Sequence, residues 1–95
     1  MSAFVIVDTK IKNTEAYAHY IEKVPAIVAR YGGHYRARGG QHTVVEGNWH
    51  PTRLVLIEFP HRNAIEAFYE DPDYQAIIGI RLENTDSNLV ILDGL

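Results

Sequence analysis

The chain has 95 residues, of which 46% are hydrophobic and 22% charged, and its formal net charge is −3 at pH 7. We expect one globular domain over residues 1–95, and the acidic balance argues against nucleic acid as a partner because phosphate binding needs a basic surface. Cysteine is absent, which excludes disulfides and thiolate nucleophiles. No apolar run approaches the roughly 18 residues of a membrane span, and no signal peptide is evident, so we expect a cytoplasmic protein without a membrane partner.

The first part of the chain predicts a strand followed by a long helix. Ala3–Val7 is a short apolar run rich in β-branched residues. Asn13 is a suitable N-cap for a helix whose apolar residues recur at helical spacing. We expect this helix to end at the pair Gly32-Gly33. Pro25 lies inside it and should kink or split it, because proline lacks a backbone donor.

A second strand is predicted to begin near His34. Alternation along it puts His34, Arg36 and Arg38 on one face. The pair Gly39-Gly40 interrupts the strand, and a glycine pair in such a position is typical of a bulge or bend. We expect the strand to resume at Thr43–Glu46.

The remaining sequence predicts a strand, two helices and a last strand. Asp71 is a helix cap and is followed by Pro72, which suits the first helical position. The predicted elements are a loop at Gly47–Pro51, a strand at Arg53–Phe59, a helix at Asn63–Glu70, a helix that begins at Asp71 and a strand at Leu89–Leu92. The order β-α-β-β-α-α-β indicates an α+β, ferredoxin-like sandwich of the split βαβ type, with an antiparallel sheet and helices on one face.

The predicted strands are apolar on both faces. In the third strand, Leu54 and Leu56 alternate with Val55, Ile57 and Phe59. Helices can cover only one face of the sheet, and the other face would expose more than the few hundred Å² typical of a soluble monomer. We therefore predict a homodimer in which two sheets pack face to face.

Four segments of the sequence are similar to one known family. The segments RYGGHYRARGG, VVEGNWHPTRLVLIEFP, AIEAFYEDPDYQAI and LVILDGL resemble the domain-of-unknown-function family 1330 of the dimeric α/β-barrel superfamily, and the resemblance covers nearly the whole chain. It implies a ferredoxin-like subunit, a sheet-to-sheet homodimer and a cavity between sheet and helices. The superfamily includes cofactor-free monooxygenases, muconolactone isomerase-like enzymes and haem-binding branches. The resemblance supplies no catalytic residue.

Charged residues of the second strand are the first candidates for a ligand site. Arg36 and Arg38 suit an anion-binding row, because a guanidinium can bind a carboxylate or phosphate through two hydrogen bonds. They also suit an edge strand whose charge discourages aggregation. Arg38 is the better candidate, since a bulge beside it can re-aim its side chain toward a cavity. His34 is either a general base or a hydrogen-bonded strand histidine.

Four further candidates lie on the helices and in the loop. Tyr20 and Tyr74 belong to apolar helix stripes, which are usually core, yet both would face the cavity and could orient a ligand. Arg81 falls on the apolar stripe of the last helix and either reaches past the core edge or points a charge into the cavity. Trp49 is either an aromatic wall for a planar substrate or an anchor that packs the loop, including across a dimer.

Other residues and motifs bear on the type of function. Glu58, in an otherwise apolar strand, should pair with Arg81 or Arg53, and unpaired it would be a candidate base. Neither a nucleotide-binding glycine motif nor a zinc-like ligand spacing occurs, so we expect no cofactor and no metal. Two functions remain open. One is a cofactor-free enzyme of isomerase, lyase or oxygenase type that acts on a small, partly apolar, anionic molecule. The other is a non-enzymatic ligand-binding or structural homodimer.

Overall fold

Four antiparallel strands and three helices make up the structure, a computed structural model that describes residues 1–95. The strands form one sheet in the order β2-β3-β1-β4, and helices cover one of its faces. The elements are β1 (Ala3–Ile11), α1 (Thr14–Arg30), β2 (His34–Arg38), β3 (Leu54–Phe59), α2 (Arg62–Glu70), α3 (Pro72–Asn84) and β4 (Thr85–Asp93). This is the α+β, ferredoxin-like fold that the order of elements predicts.

The core lies between the sheet and the helices. Along β1 the side chains of Ala3, Val5, Val7 and Thr9 are buried, whereas those between them are only partly covered. The same alternation in β3 buries every second residue. Sixteen buried apolar residues form one continuous cluster with the helices. Each large aliphatic or aromatic side chain in such a cluster contributes about 1.5–3 kcal/mol through removal from water.

Helix α1 is continuous from Thr14 to Arg30, so Pro25 does not split it. Proline cannot donate to the carbonyl of Ile21, four residues earlier. That carbonyl accepts a hydrogen bond from Arg38 Nη2 on β2 instead, at 2.9 Å. A side chain of the sheet therefore replaces the missing helix donor, which explains how the helix tolerates an interior proline.

Strand β2 differs from the expectation in its length and its bulge. It ends at Arg38, and the expected strand at Thr43–Glu46 is absent, because residues 39–53 contain no strand. Gly39 donates a last backbone hydrogen bond to Leu54 and then, with φ of 69°, turns the chain out of the sheet. The bulge lies between Tyr35 and Ala37, ahead of the Gly-Gly pair.

The displaced bulge changes which face the β2 side chains occupy. His34 pairs with Glu58, whereas Arg38 pairs with the buried Val55. One extra residue in a strand reverses the faces of all residues beyond it. The expectation that His34, Arg36 and Arg38 share a face is therefore wrong, since Arg38 lies on the helix-covered face and His34 on the other.

Strands β1 and β4 are longer than their apolar runs suggest. β1 extends to Ile11 and β4 begins at Thr85, because the two pair along nine residues. The first four residues of β4, 85–88, are polar, so hydrophobicity alone does not identify this part of the strand.

The face of the sheet away from the helices is apolar and carries no helix. Val90 and Leu92 are each 54% exposed, and their neighbours on β1 and β3 are partly exposed. We call this surface the open face, and its apolar residues are Phe4, Ile6, Leu54, Leu56, Val90 and Leu92. None of the helices combines the length and hydrophobicity that crossing a membrane requires.

Candidate functional site

A cavity lies between the helix-covered face of the sheet and the helices. Fifteen residues line it, and three of them are the arginines Arg38, Arg53 and Arg81, while the other twelve are hydrophobic or aromatic. No aspartate, glutamate or histidine is among them. The cavity volume is about 40 Å³, and the space reaches about 450 Å³ when the part open to solvent is included. The smaller volume suits a few water molecules, so a ligand must displace side chains or occupy the open part.

Two tyrosines from different helices meet at the inner end of the cavity. The hydroxyls of Tyr20 on α1 and Tyr74 on α3 are 2.9 Å apart, and both side chains are buried. Burial raises the pKa of Tyr20, with a further contribution from Tyr74. Tyr20 therefore stays neutral and acts as a hydrogen-bonding group rather than as a base. Since one hydroxyl of the pair donates to the other, one proton remains for a third partner.

Arg81 brings an uncompensated charge to the same end. Its side chain comes from α3 and is only 4% exposed, and Nη1 donates to Ser87 Oγ on β4 at 2.7 Å. It forms no ion pair with any carboxylate. Removing a cation from water costs several kcal/mol unless an opposite charge compensates it. The chain itself provides none.

Two buried side-chain polar atoms have no hydrogen-bond partner in the chain, and both lie near Ser87. They are Arg81 Nε and Thr9 Oγ1. Thr9 is opposite Ser87 in the pairing of β1 with β4, and Arg81 binds Ser87 directly. Because buried polar groups are almost always hydrogen-bonded, two exceptions in one place indicate a site for a polar ligand or for water.

Arg38 lies at the mouth of the cavity, where the space opens to solvent. Its guanidinium donates to Ile21 O and stacks over the ring of Tyr35, 4.7 Å from the ring centre. Arg53 lines the same region and forms no ion pair, so the expected pairing of Arg53 with Glu58 is wrong. Both ends of the cavity are thus positively charged.

Four of the six candidate residues converge on this cavity, and two do not. Tyr20, Tyr74, Arg81 and Arg38 line it. His34 lies in a separate surface groove with Ser2, Arg36 and Glu58. Histidine therefore contributes no base to the cavity.

Trp49 also lies away from the cavity. It is 61% exposed, and its Nε1 donates to Asp8 Oδ2 on β1 at 2.9 Å. This hydrogen bond fixes the loop between β2 and β3 against β1 at the open face. The geometry is that of a loop anchor rather than of a wall around a substrate.

The sequence suggested that Glu58 pairs with Arg81 or Arg53, but Glu58 pairs with neither of them. It accepts a hydrogen bond from Arg36 Nε at 2.9 Å, and this contact lowers the pKa of Glu58. The reason is the alternation along β3, which puts Glu58 on the face away from the helices, whereas Arg53 and Arg81 line the cavity on the helix-covered face.

The sequence reasoning missed Arg53 and the pair Thr9 and Ser87. Arg53 alternates with Val55 and Ile57, which was a signal that it faces the helices. Ser87 gave no signal, because it lies in the polar beginning of β4, ahead of the predicted strand. No three side chains of histidine, aspartate or glutamate come together as a group that could hold a metal ion.

The fold and the cavity define a ferredoxin-like α+β protein with a cationic space between sheet and helices. Within this class, the chain belongs to the family described as Domain of unknown function (DUF1330), whose sequence model matches residues 2–95. No curated protein matches the sequence.

Several solved structures are similar to this chain. RPA0582, a protein of unknown function from Rhodopseudomonas palustris, has a TM-score of 0.81 and 21% identity, and the match covers 99% of this chain and 82% of that one. A dimeric ferredoxin-like protein of unknown function from Jannaschia sp. CCS1 has a TM-score of 0.68 and 15% identity, with 99% and 100% covered. SnoaB, a cofactor-independent oxygenase from Streptomyces nogalater, has a TM-score of 0.62 and 12% identity, with 99% and 92% covered. At these identities the similarity shows a common fold.

Proposed function

We propose that this protein is a homodimer that binds a small anionic molecule in the cavity between its sheet and helices. The observation that carries the proposal is Arg81, a buried guanidinium with no carboxylate partner and an unpaired Nε. An anion at this point would supply both the missing charge and the missing acceptor. Tyr20 and Tyr74 would add one hydroxyl donor.

The lining of the cavity supports an anionic ligand with an apolar body. Three arginines and no acid line the space, so a negative group is attracted wherever it enters. The remaining lining is aliphatic and aromatic, which favours a flat hydrocarbon part. A simple carboxylic acid such as benzoate has both features.

Binding of benzoate to the protein and to an Arg81→Met variant tests this function. A ligand that binds only the folded state raises the melting temperature, by an amount equivalent to about 2.7 kcal/mol at one hundred times its Kd. We expect a saturable rise for the natural protein and none for Arg81→Met. Arg62→Met is the matched control, because Arg62 is exposed and pairs with Asp93. An equal rise in Arg81→Met, or no rise with any small aromatic acid, would refute anion binding at Arg81.

Catalysis without a cofactor is a second candidate function. Arg81 and the tyrosine pair lie together and would stabilise negative charge that develops on a substrate oxygen. The cavity offers no carboxylate or imidazole base, so a suitable substrate would have to ionise readily by itself. The similarity to SnoaB supports an oxygenase-type reaction. With dihydroxybenzoates that bind, the natural protein should consume oxygen faster than Arg81→Met does. Equal rates in the two proteins would refute the oxygenase reaction, and only the binding function would remain.

The open face supports the homodimer. Six apolar side chains on three strands form a surface that the helices leave uncovered. The related proteins from Jannaschia sp. CCS1 and Thermobifida fusca are described as dimeric. A second copy of the same face would match its hydrophobicity. Sedimentation at micromolar concentration should give a particle of two chains, and a lone chain would refute the dimer.

A further inference from the structure

The floor of the cavity is a row of side chains that crosses the whole sheet. Leu89 on β4 pairs with Val7 on β1, Val7 pairs with Val55 on β3, and Val55 pairs with Arg38 on β2. All four line the cavity. Neighbouring strands lie about 4.8 Å apart, so the distance from β2 to β4 across the sheet is about 14 Å. The row therefore ends in Arg38 at one edge of the sheet, while Arg81 reaches Ser87 beside Leu89 at the other.

Arg38 is held in place by contacts that leave part of its guanidinium free. Its Nη2 donates to the Ile21 carbonyl that Pro25 leaves without a partner, and its plane lies over Tyr35. A guanidinium has five N–H donors, so others remain for a ligand. A binding group that is already fixed loses little freedom when a ligand arrives. The interior proline of α1 thus helps to fix a second cationic point, at the mouth.

The space between the two cationic ends is apolar. Val7 and Val55 form its floor, and Tyr17, Tyr35 and Phe68 contribute aromatic rings. A ligand segment that lies there needs little polarity and gains from being flat. A charged group in the middle would find no partner.

We infer that the cavity binds an elongated molecule with an anionic group at each end of a flat apolar middle, such as an aromatic dicarboxylate. One carboxylate binds Arg81 at the inner end, and the other binds Arg38 and Arg53 at the mouth. This inference rests on the proposed binding of an anion at Arg81 and adds the second end.

Calorimetric titration with matched acids tests the second end. The pairs are terephthalate against benzoate, and biphenyl-4,4′-dicarboxylate against biphenyl-4-carboxylate, at one fixed salt concentration. We expect the better-fitting diacid to bind at least tenfold more tightly than its monoacid. In Arg38→Gln most of this advantage should be lost, because the diacid affinity falls much further than the monoacid affinity. Arg62→Gln removes an equal charge outside the cavity and should keep the advantage.

A second variant guards against a folding defect in Arg38→Gln. In Pro25→Ala/Arg38→Gln, the alanine N–H can donate to Ile21 O, so the helix no longer depends on Arg38. If the diacid keeps its advantage in this variant, or never has one in the natural protein, the two-ended site is refuted. Anion binding at Arg81 survives that result if benzoate binds and Arg81→Met abolishes its binding. If benzoate and both diacids bind equally well to Arg81→Met, the proposed function itself fails.

Discussion

The side chain of Arg81 comes from helix α3 and lies inside the core. A charge on the apolar stripe of a helix is unusual, and the structure shows that it is buried without an anion. Isolated buried charges persist in proteins mainly where they serve a function, because they reduce stability. The sequence could mark this residue as odd. It could not show the absence of a partner, since that depends on which side chains the fold brings near.

We predict that Arg81→Met stabilises the ligand-free protein, even though it abolishes anion binding. The methionine fills much of the same apolar space and removes the cost of the unpaired charge, against the loss of one hydrogen bond to Ser87. We expect the free energy of unfolding in urea to rise by about 1 kcal/mol, with Arg62→Met unchanged. A fall of the same size would show that Arg81 is compensated within the fold.

Asp71 should dominate the acid sensitivity of the protein. Its carboxylate, in a residue only 5% exposed, accepts hydrogen bonds from the Tyr31 hydroxyl, from Arg30 Nη1 at 2.8 Å and from the Asp73 backbone N–H at 2.7 Å. The Tyr31 hydrogen bond and those from Arg30 and Asp73 lower the pKa of Asp71 to about 2, against the opposing effect of burial. These contacts join the end of α1 to the start of α3.

The sign of the pH dependence follows from that lowered pKa. The ordinary pKa of the group is 3.8, so its stabilising contribution is complete above that value and is lost as the pH falls toward 2. We expect the melting temperature to drop over this window and Asp71→Asn to flatten the drop while lowering stability at pH 7. Asp86→Asn, at an exposed position on β4, should leave the profile unchanged. An unaltered profile in Asp71→Asn would contradict this assignment.

At the scale of the elements, α1 and β2 depend on each other through Pro25 and Arg38. Arg38→Ala leaves the Ile21 carbonyl without its side-chain donor, and we expect a loss of about 1 kcal/mol in the free energy of unfolding. In a Pro25→Ala background the helix supplies its own N–H, so the loss should shrink to a few tenths. A double-mutant cycle by urea denaturation measures this coupling. Equal losses in both backgrounds would show that Arg38 does not replace the proline donor.

The elements themselves were largely predictable, and the failures have physical causes. Alternation along Arg53–Phe59, the Asn13 cap and the Asp71-Pro72 start all gave the right element. The bulge was placed wrongly because Gly39-Gly40 is the stronger local signal, whereas the real bulge lies among ordinary residues. That single shift puts Arg38 on the cavity side of the sheet while His34, ahead of the bulge, lies on the other side. A site built on a strand therefore depends on register, which local sequence does not determine.

At the scale of the whole molecule, the open face is an apolar surface that the chain itself leaves uncovered. The sequence indicated this surface because its strands are apolar on both sides, and the structure confirms that one side carries no helix. An apolar surface of this size marks an interaction site, and we expect a second copy of the chain to cover it.

We predict that Leu56→Lys converts the dimer into monomers. Leu56 lies at the centre of the open face, paired with Ile6, and a buried lysine there would meet its symmetry mate without a counter-charge. Leu82→Lys is the matched control, since Leu82 is 56% exposed on α3. Light scattering coupled to size exclusion should show one chain for the first variant and two for the second. A Leu56→Lys dimer would mean that the contact lies elsewhere.

The hydrogen bond from Arg38 to the carbonyl that Pro25 leaves free also constrains how related sequences can diverge. A homologue that loses the arginine while keeping the proline would leave a backbone acceptor unsatisfied, whereas one that loses both restores an ordinary helix. Substitutions at these two positions, thirteen places apart in the chain, should thus be inherited together across the family.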